Sequence, residues 1–270
     1  MKADNGHMSD AHDVPAVPLR GGAEMPMLGF GTWRLRGREG CESVRCALQT
    51  GYRHIDTASM YANEDEVGRA LRDSGVERKD VFITTKLRPS DAGRERAILK
   101  ASLRALGTDY VDLWLVHWPP RGRADRRHVW HEFLTLADEG LARAVGVSNY
   151  SIDQIDDLIA TTARAPAVNQ VHWDPSRYDA GFLTASLDRG VAVEGYSPLK
   201  ETDLADPVLT EIAAAHEVSA AQVVLRWHIE HQITVIPRSS NPGRIAANFD
   251  IFGFSLGPDE VARIDGLAAR

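Results

Sequence analysis

The chain is 270 residues long, 43% hydrophobic and 26% charged, an ordinary composition for a globular protein with a sizeable core. A net charge of −7 gives no global case for binding nucleic acid or an anionic membrane, and no apolar window approaches the roughly 18 residues of a membrane helix. The two cysteines, Cys41 and Cys46, share one helical stretch, poorly placed for a bridge and too few for a metal centre.

Residues 1–12 are polar and lack the apolar core of a secretion signal, so disorder and a cytoplasmic location are expected. Gly6-His7-Met8 resembles a cloning scar, which makes part of this stretch tag-derived. Hairpin character follows in Val17-Pro18-Leu19, a Gly21-Gly22 turn and Met25. Strand-like runs then occur at 28–31, 54–56, 81–86, 111–117, 144–147, 168–172, 192–196 and 234–236. Their near-continuous apolar character, rich in Val and Ile, suits strands buried on both faces. Helical periodicity lies between them. Residues 64–72 put Val67, Ala70 and Leu71 on one face, and 97–106 turn Ile98, Ala101, Leu103 and Leu106 inward. The region 212–227 reads as two helices, and a last helix is expected at 258–267.

Strand runs that each lead into a helical pattern predict an α/β protein, a (β/α)8 TIM barrel with a short N-terminal β-hairpin, as a single catalytic domain over 13–270. A doubly wound sheet is the competitor, and it usually carries Gly-x-Gly-x-x-Gly after its first strand. Here Gly29-Phe30-Gly31 runs on into Thr32-Trp33-Arg34, so the third glycine is missing.

Asp56, Lys86 and His117 end strand-like runs, and Tyr61 follows Asp56 closely. A barrel gathers such ends at the face where barrel enzymes place their active sites. A tyrosine ionises at about pH 10, too high for efficient acid catalysis at neutrality, and a nearby ammonium stabilises its phenolate. An aspartate holds that ammonium charged, and a histidine can hydrogen-bond a carbonyl oxygen. The set is suited to protonating an oxyanion as a hydride reaches carbon, or to the reverse alcohol oxidation. Taken singly, each residue has a plainer reading. Tyr61 could be packing, Lys86 a solvated strand end, Asp56-Thr57 a helix cap, and His117 a satisfied core histidine. Their convergence on one barrel face favours the chemistry.

The run Gly51-Tyr52-Arg53-His54-Ile55-Asp56-Thr57-Ala58, with Tyr61 and Asn63-Glu64, resembles a signature of the aldo-keto reductase family. Further matches are Thr84-Thr85-Lys86, His117-Trp118-Pro119, Gly146-Val147-Ser148-Asn149, Asn169-Gln170, Tyr196-Ser197-Pro198-Leu199 and Ile236-Pro237-Arg238-Ser239. The likeness spans 17–267 and is strongest to bacterial reductases of the 2,5-diketo-gluconate reductase type. It implies that Tyr61 is the general acid, Lys86 and Asp56 its tuning pair, and His117 the residue that orients the carbonyl.

The resemblance also implies an NADPH/NADP+ site. Ser148, Asn149 and Gln170 would hold the carboxamide, and Tyr196 would stack on the nicotinamide ring. Gly31, Thr32, Trp33, Ser197 and Leu199 are carried over as further cofactor contacts. Arg238, Ser239, Ser240 and Arg244 would hold the 2′-phosphate, with Asn248 at the adenine. Two guanidiniums and two hydroxyls near a helix start suit a phosphate monoester. Arg238 stands where the family commonly has Lys, and Ala247 where it commonly has Glu, which predicts weaker adenine binding.

The expected substrate is a small carbonyl compound in a pocket walled by Trp33, Tyr61, His117 and Trp118, with Trp173 as a further candidate. The stretch 121–127 reads as a short basic loop that could attract anionic carbonyls or simply be solvated. The chain stops at Arg270, without the tail that folds over the pocket in related enzymes, which predicts an open site and broad specificity. A monomer, with neither nucleic-acid nor membrane partner, is expected. The competing reading is a cofactor-sensing regulatory subunit with little turnover.

Overall fold

The computed structural model describes residues 14–269, so the stretch 1–12, expected to be disordered, lies outside the described residues. Strands β1 (Ala16–Pro18) and β2 (Glu24–Pro26) pair antiparallel, as the Gly21-Gly22 turn predicts. Both glycines have positive φ, the region an L side chain rarely adopts. The hairpin closes the lower end of the barrel. Its Leu19 and Met25 pack on Phe82, Leu113, Leu115 and Val168.

The eight remaining strands are β3 (Phe30–Gly31), β4 (His54–Asp56), β5 (Phe82–Leu87), β6 (Val111–Val116), β7 (Ala142–Ser148), β8 (Val168–His172), β9 (Ala192–Tyr196) and β10 (Thr234–Ile236). They form one parallel sheet in sequence order. A parallel bridge between Leu28 and Val235 brings the first strand region back to the last. Amide donations from Gly29 to Val235 (2.9 Å) and from Gly31 to Pro237 (3.1 Å) reinforce it. The approach is close enough that a Cβ on Gly31 would lie 2.9 Å from the Ile236 carbonyl oxygen. Glycine is needed there to bring the barrel edges together. β5 and β6 are buried along their whole length, which explains why their sequences do not alternate.

The helices are α1 (Gly37–Thr50), α2 (Glu64–Ser74), α3 (Glu95–Leu106), α4 (Arg123–Asp138), α5 (Ile152–Thr162), α6 (Ala180–Asp188), α7 (Pro207–Ala215), α8 (Ala220–Glu230), α9 (Pro242–Phe249) and α10 (Pro258–Asp265). The 212–227 region is indeed two helices, and a short 3-10 turn (Gly266–Ala269) follows α10. No single described helix is long and apolar enough to cross a membrane. Cys41 and Cys46 are both free thiols on α1.

Two expectations are corrected. Residues 123–127 are the first turns of α4, not part of a basic loop. That helix was masked in the sequence because its first turns are charged, while its buried face comes later, where Trp130 and Phe133 pack inward and Phe133 stacks on Trp114 at 3.7 Å. On α3 the buried face is Leu99, Ser102, Leu103 and Leu106, and Ala101 faces solvent. The small Ser102 can turn inward because its hydroxyl donates to Glu64.

Candidate active site

Inside the upper end of the barrel, Lys86 on β5 is fully buried, an arrangement that requires a counter-charge and complete hydrogen bonding. Its Nζ donates to Asp56 Oδ1 at 2.6 Å and to the Thr57 carbonyl at 2.9 Å, and it lies 3.4 Å from the Tyr61 hydroxyl. Burial opposes the ammonium charge, but Asp56 and then Tyr61 outweigh it and hold the lysine above its ordinary pKa. Burial likewise pushes the Tyr61 phenol up. Lys86 pulls it down, as expected from the sequence, yet burial wins in the free protein.

His117, the residue after β6, lies with its ring centre 5.7 Å from that of Tyr61. Burial, aided by the Lys86 charge, lowers its pKa to about 3, so the imidazole is neutral at physiological pH. Its Nδ1 is buried without a hydrogen-bond partner. A neutral ring bears one proton, and an N–H buried without an acceptor is costly, so the proton belongs on Nε2.

Three plainer readings fall away on this geometry. Asp56 caps no helix, because α2 begins at Glu64 after Asn63, and its carboxylate faces Lys86 instead. Ser148-Asn149, at the end of its strand, also allows a plainer reading as the cap of the next helix, but Ser151 caps α5 with a complete capping box to Gln154. Lys86 is not a solvated strand end.

Asp56, Tyr61 and His117 line a cavity of about 320 Å³, and Lys86 is buried against Asp56 and Tyr61 outside that lining. Of the residues expected there, Gly31, Trp33, Asp56, Tyr61, His117, Trp118, Ser148, Asn149, Gln170, Tyr196, Ser197 and Arg238 line it. Ser148 Oγ donates to the Gln170 carbonyl (2.7 Å), Asn149 Nδ2 donates to Ser148 Oγ (2.9 Å), and Tyr196 donates its hydroxyl to Asn149 Oδ1 (3.0 Å). Asn149 and Ser197 take positive φ, as do Arg34 and Ala62 on neighbouring loops. Ala163, Glu217 and Gln232 take positive φ at helix ends outside the cavity lining, whereas Asn149 and Ser197 lie in it. Trp33 and Trp118 stay 43% and 46% exposed at the rim, leaving aromatic surface that no protein group covers.

Other expected contacts stand apart from the cavity lining. Thr32 is fully buried, its hydroxyl donating to the Asp56 carbonyl. Trp173, a candidate pocket wall, is a correction: it is buried against Tyr178 and Phe182 in a second core cluster. Leu199, Ser239, Ser240, Arg244 and Asn248 do not line the cavity. Ser239 is nonetheless buried beside the start of α9, where Asn241 accepts from the Arg244 amide as the cap, and Asn248 is buried in the last turn of that helix. Arg238 and Arg244 are exposed and have no carboxylate partner among the described residues, so both charges are free for an anion.

Sequence reasoning missed several participants. Met60, Lys200 and Ile236 line the cavity, and adjacency to Tyr61, to Leu199 and to Pro237 was an available signal. Asn63 is a buried clamp, donating to the Thr32 (2.9 Å) and Leu35 (2.8 Å) carbonyls and accepting from Thr57 (2.7 Å). Glu194 lies deep on β9, and nothing in the local pattern distinguishes it from a strand-end charge. His172, Asp174 and Glu201 bring potential metal ligands together. Arg177, however, donates to Glu201 at 2.6 Å and lies 3.5 Å from Asp174, so a guanidinium already supplies the positive charge.

The description "Aldo/keto reductase family" covers residues 27–269 in a match to that family's model. The chain belongs to the aldo/keto reductase family. Its members are oxidoreductases that use nicotinamide cofactors. This family member is 41% identical to morphine 6-dehydrogenase of Pseudomonas putida over 269 residues, covering 94% of this chain and 91% of the relative. A crystal structure of an aldo/keto reductase from Brucella melitensis superposes with a TM-score of 0.91 at 41% identity, covering 94% of this chain and 99% of that one. An aldo-keto reductase from Bombyx mori in complex with NADP gives 0.87 at 32% identity, covering 95% and 94%.

Proposed function

We propose that this aldo/keto reductase reduces aldehydes and ketones to alcohols with NADPH by direct hydride transfer, with Tyr61 as the general acid, in one catalytic domain over 13–270. The observation that carries the reading is the dry contact line from Asp56 Oδ1 through Lys86 Nζ to the Tyr61 hydroxyl, beside a neutral His117. His117 donates from Nε2 to the substrate oxygen and fixes its approach. Tyr61 gives its proton to that oxygen as negative charge develops, and Lys86 stabilises the phenolate left behind. Asp56 keeps Lys86 charged throughout. In the reverse direction the phenolate takes the alcohol proton.

The residues present fit a nicotinamide dinucleotide. Ser148, Asn149 and Gln170 offer amide and hydroxyl groups, Tyr196 offers a ring face, and Arg238 and Arg244 offer free positive charge. Bound there, NADPH supplies the hydride. Arg238, Ser239, Ser240 and Arg244 are assigned to its 2′-phosphate, which favours NADPH over NADH, while Asn248 takes the adenine. Trp33 and Trp118 hold the carbon skeleton of the substrate against Tyr61; Trp33 already lies 4.9 Å from that ring.

The test is consumption of reduced cofactor with a generic aldehyde. Many turnovers per protein molecule, faster with NADPH than with NADH, are expected. A stoichiometric loss that stops after one equivalent would instead support the regulatory-subunit reading.

A further inference from the structure

One buried carboxyl is used by none of these steps. Glu194, on β9, is completely enclosed in the barrel just below the Lys86–Asp56 pair. Its Oε2 accepts from Gln170 Nε2 at 2.9 Å, and the same amide nitrogen donates to Asp56 Oδ2 at 2.8 Å. Its Oε1 is buried with no hydrogen-bond partner and points toward His54 Nε2, 3.6 Å away.

The chemistry of the neighbours decides what this carboxyl carries. From β4 it faces His54 and Asp56, from β5 the charge of Lys86, from β8 Gln170, and from β10 its register partner Thr234, whose hydroxyl is also unpartnered. Lys86 is the one cation in this group, and Asp56 already takes it at 2.6 Å. His54 is neutral, because burial drives its pKa down to about 4. A second negative charge would therefore be enclosed opposite Asp56 with no counter-ion of its own, a situation that keeps one of two neighbouring carboxyls protonated. Burial, and next Asp56, push the Glu194 carboxyl up to about 8. A proton on Oε1 gives that orphaned oxygen a donor directed at His54 Nε2, which also meets the Thr84 hydroxyl at 3.1 Å, while the other ring nitrogen faces the Pro26 carbonyl.

We propose that Glu194 is a positioning residue held as the neutral acid, which fixes the Gln170 side chain and keeps Asp56 as the single negative charge opposite Lys86. The Asp56 carboxylate can only accept, and with its proton on Oε1 Glu194 presents Oε2 as an acceptor too, so both face the Gln170 amide nitrogen and its oxygen and nitrogen cannot exchange. Both amide protons are used inside the barrel, and the amide oxygen is the group left to accept from a cofactor carboxamide. When Glu194 ionises, a new negative charge favours the protonated phenol of Tyr61 and weakens it as an acid. The inference rests on the functional reading above, but its first two readouts do not need turnover.

The test uses the full chain with NADPH. In wild-type protein the infrared difference spectrum between acidic and alkaline pH is expected to contain a protonated-carboxyl C=O band that is lost near pH 8 and is absent in Glu194→Gln. Glu194→Leu should weaken NADPH binding by about tenfold, the equivalent of one lost buried hydrogen bond. Glu194→Gln, which reproduces an acceptor toward Gln170 and a donor toward His54, should restore that affinity. It should also abolish the alkaline fall in kcat that Glu194 causes in the wild type. If no carboxyl band belongs to Glu194 at neutral pH, the neutral-acid assignment is overturned whether or not the variants fold. If Leu and Gln weaken NADPH binding equally, the positioning role is overturned. Loss of turnover with both of these readouts intact would count against the catalytic reading alone.

Discussion

The two ends of the site are built on opposite electrostatic terms. Around Lys86 the charges are dry, paired and locked by short hydrogen bonds, with Asp56 and Gln170 all but inaccessible. Around Arg238 and Arg244 they are exposed and free of carboxylate partners among the described residues. A buried charge interacts strongly and is little screened, which suits the role proposed for Lys86 of stabilising a phenolate during proton transfer. An exposed guanidinium keeps its hydration until an anion arrives, which suits reversible capture of a phosphate. The difference separates chemistry from binding, and the variants below should separate in the same way.

The largest expected effect is at the dry end. Lys86→Met leaves the Asp56 carboxylate buried without its partner, and such a break costs about 3–5 kcal/mol of stability. Denaturant unfolding should show that loss, and turnover should fall to background. A stable, active Lys86→Met protein would mean that the buried pair is not the centre of the site. At the wet end, Arg238→Ala combined with Arg244→Ala should weaken NADPH about 10–100-fold, since each free charge-assisted contact is worth about 1.5–3 kcal/mol before solvent screening is discounted. NADH affinity should change little, and the wild-type preference for NADPH should shrink as salt is raised. Equal losses for both cofactors in a fluorescence titration would place the 2′-phosphate elsewhere.

Smaller effects probe the boundary between the two ends. Trp118→Ala removes exposed aromatic surface at the rim. It should raise KM for apolar aldehydes by about 3- to 10-fold, the range for partial loss of one side chain's apolar burial, with kcat nearly unchanged. Near neutrality the pH dependence gives the smallest signal, and it grows only as acid is added. His117 has its pKa lowered from 6.5 to about 3 in the folded protein, so the unfolded chain binds the extra proton across that window. Its contribution to stability is therefore fully present above about pH 6.5 and is lost as pH falls toward 3. Thermal unfolding should show a falling Tm over that range, less steep in His117→Gln, whereas kcat should show no histidine inflection near neutrality.

The sequence made the barrel and the four polar strand ends legible because both are local. A strand buried on both faces lacks polar alternation, and a polar residue at the end of a largely apolar run stands out. Asp56, Lys86 and His117 were visible for that reason. What stayed hidden depends on contacts across the barrel. Glu194 is separated from its partner Gln170 by 24 positions and from Asp56 by far more, and no helical or strand period links them. Trp173 read as a pocket wall because an aromatic near a strand end looks alike whether it turns to the cavity or to α8. The packing of Trp227 and the surrounding core on its side of the sheet decided the matter. The first turns of α4 read as loop because charge at a helix start gives no apolar period until Val129 and Trp130.

The central claim is that Tyr61, set against the dry lysine, delivers the proton. The most direct measurement is single-turnover reduction of an aldehyde by Tyr61→Phe alongside cofactor titration. The account predicts an NADPH dissociation constant within about twofold of wild type and a reduction rate lower by about 10²–10⁴, the range of a lost general acid. Reduction at a near wild-type rate by the Phe variant, with NADPH bound, would contradict it.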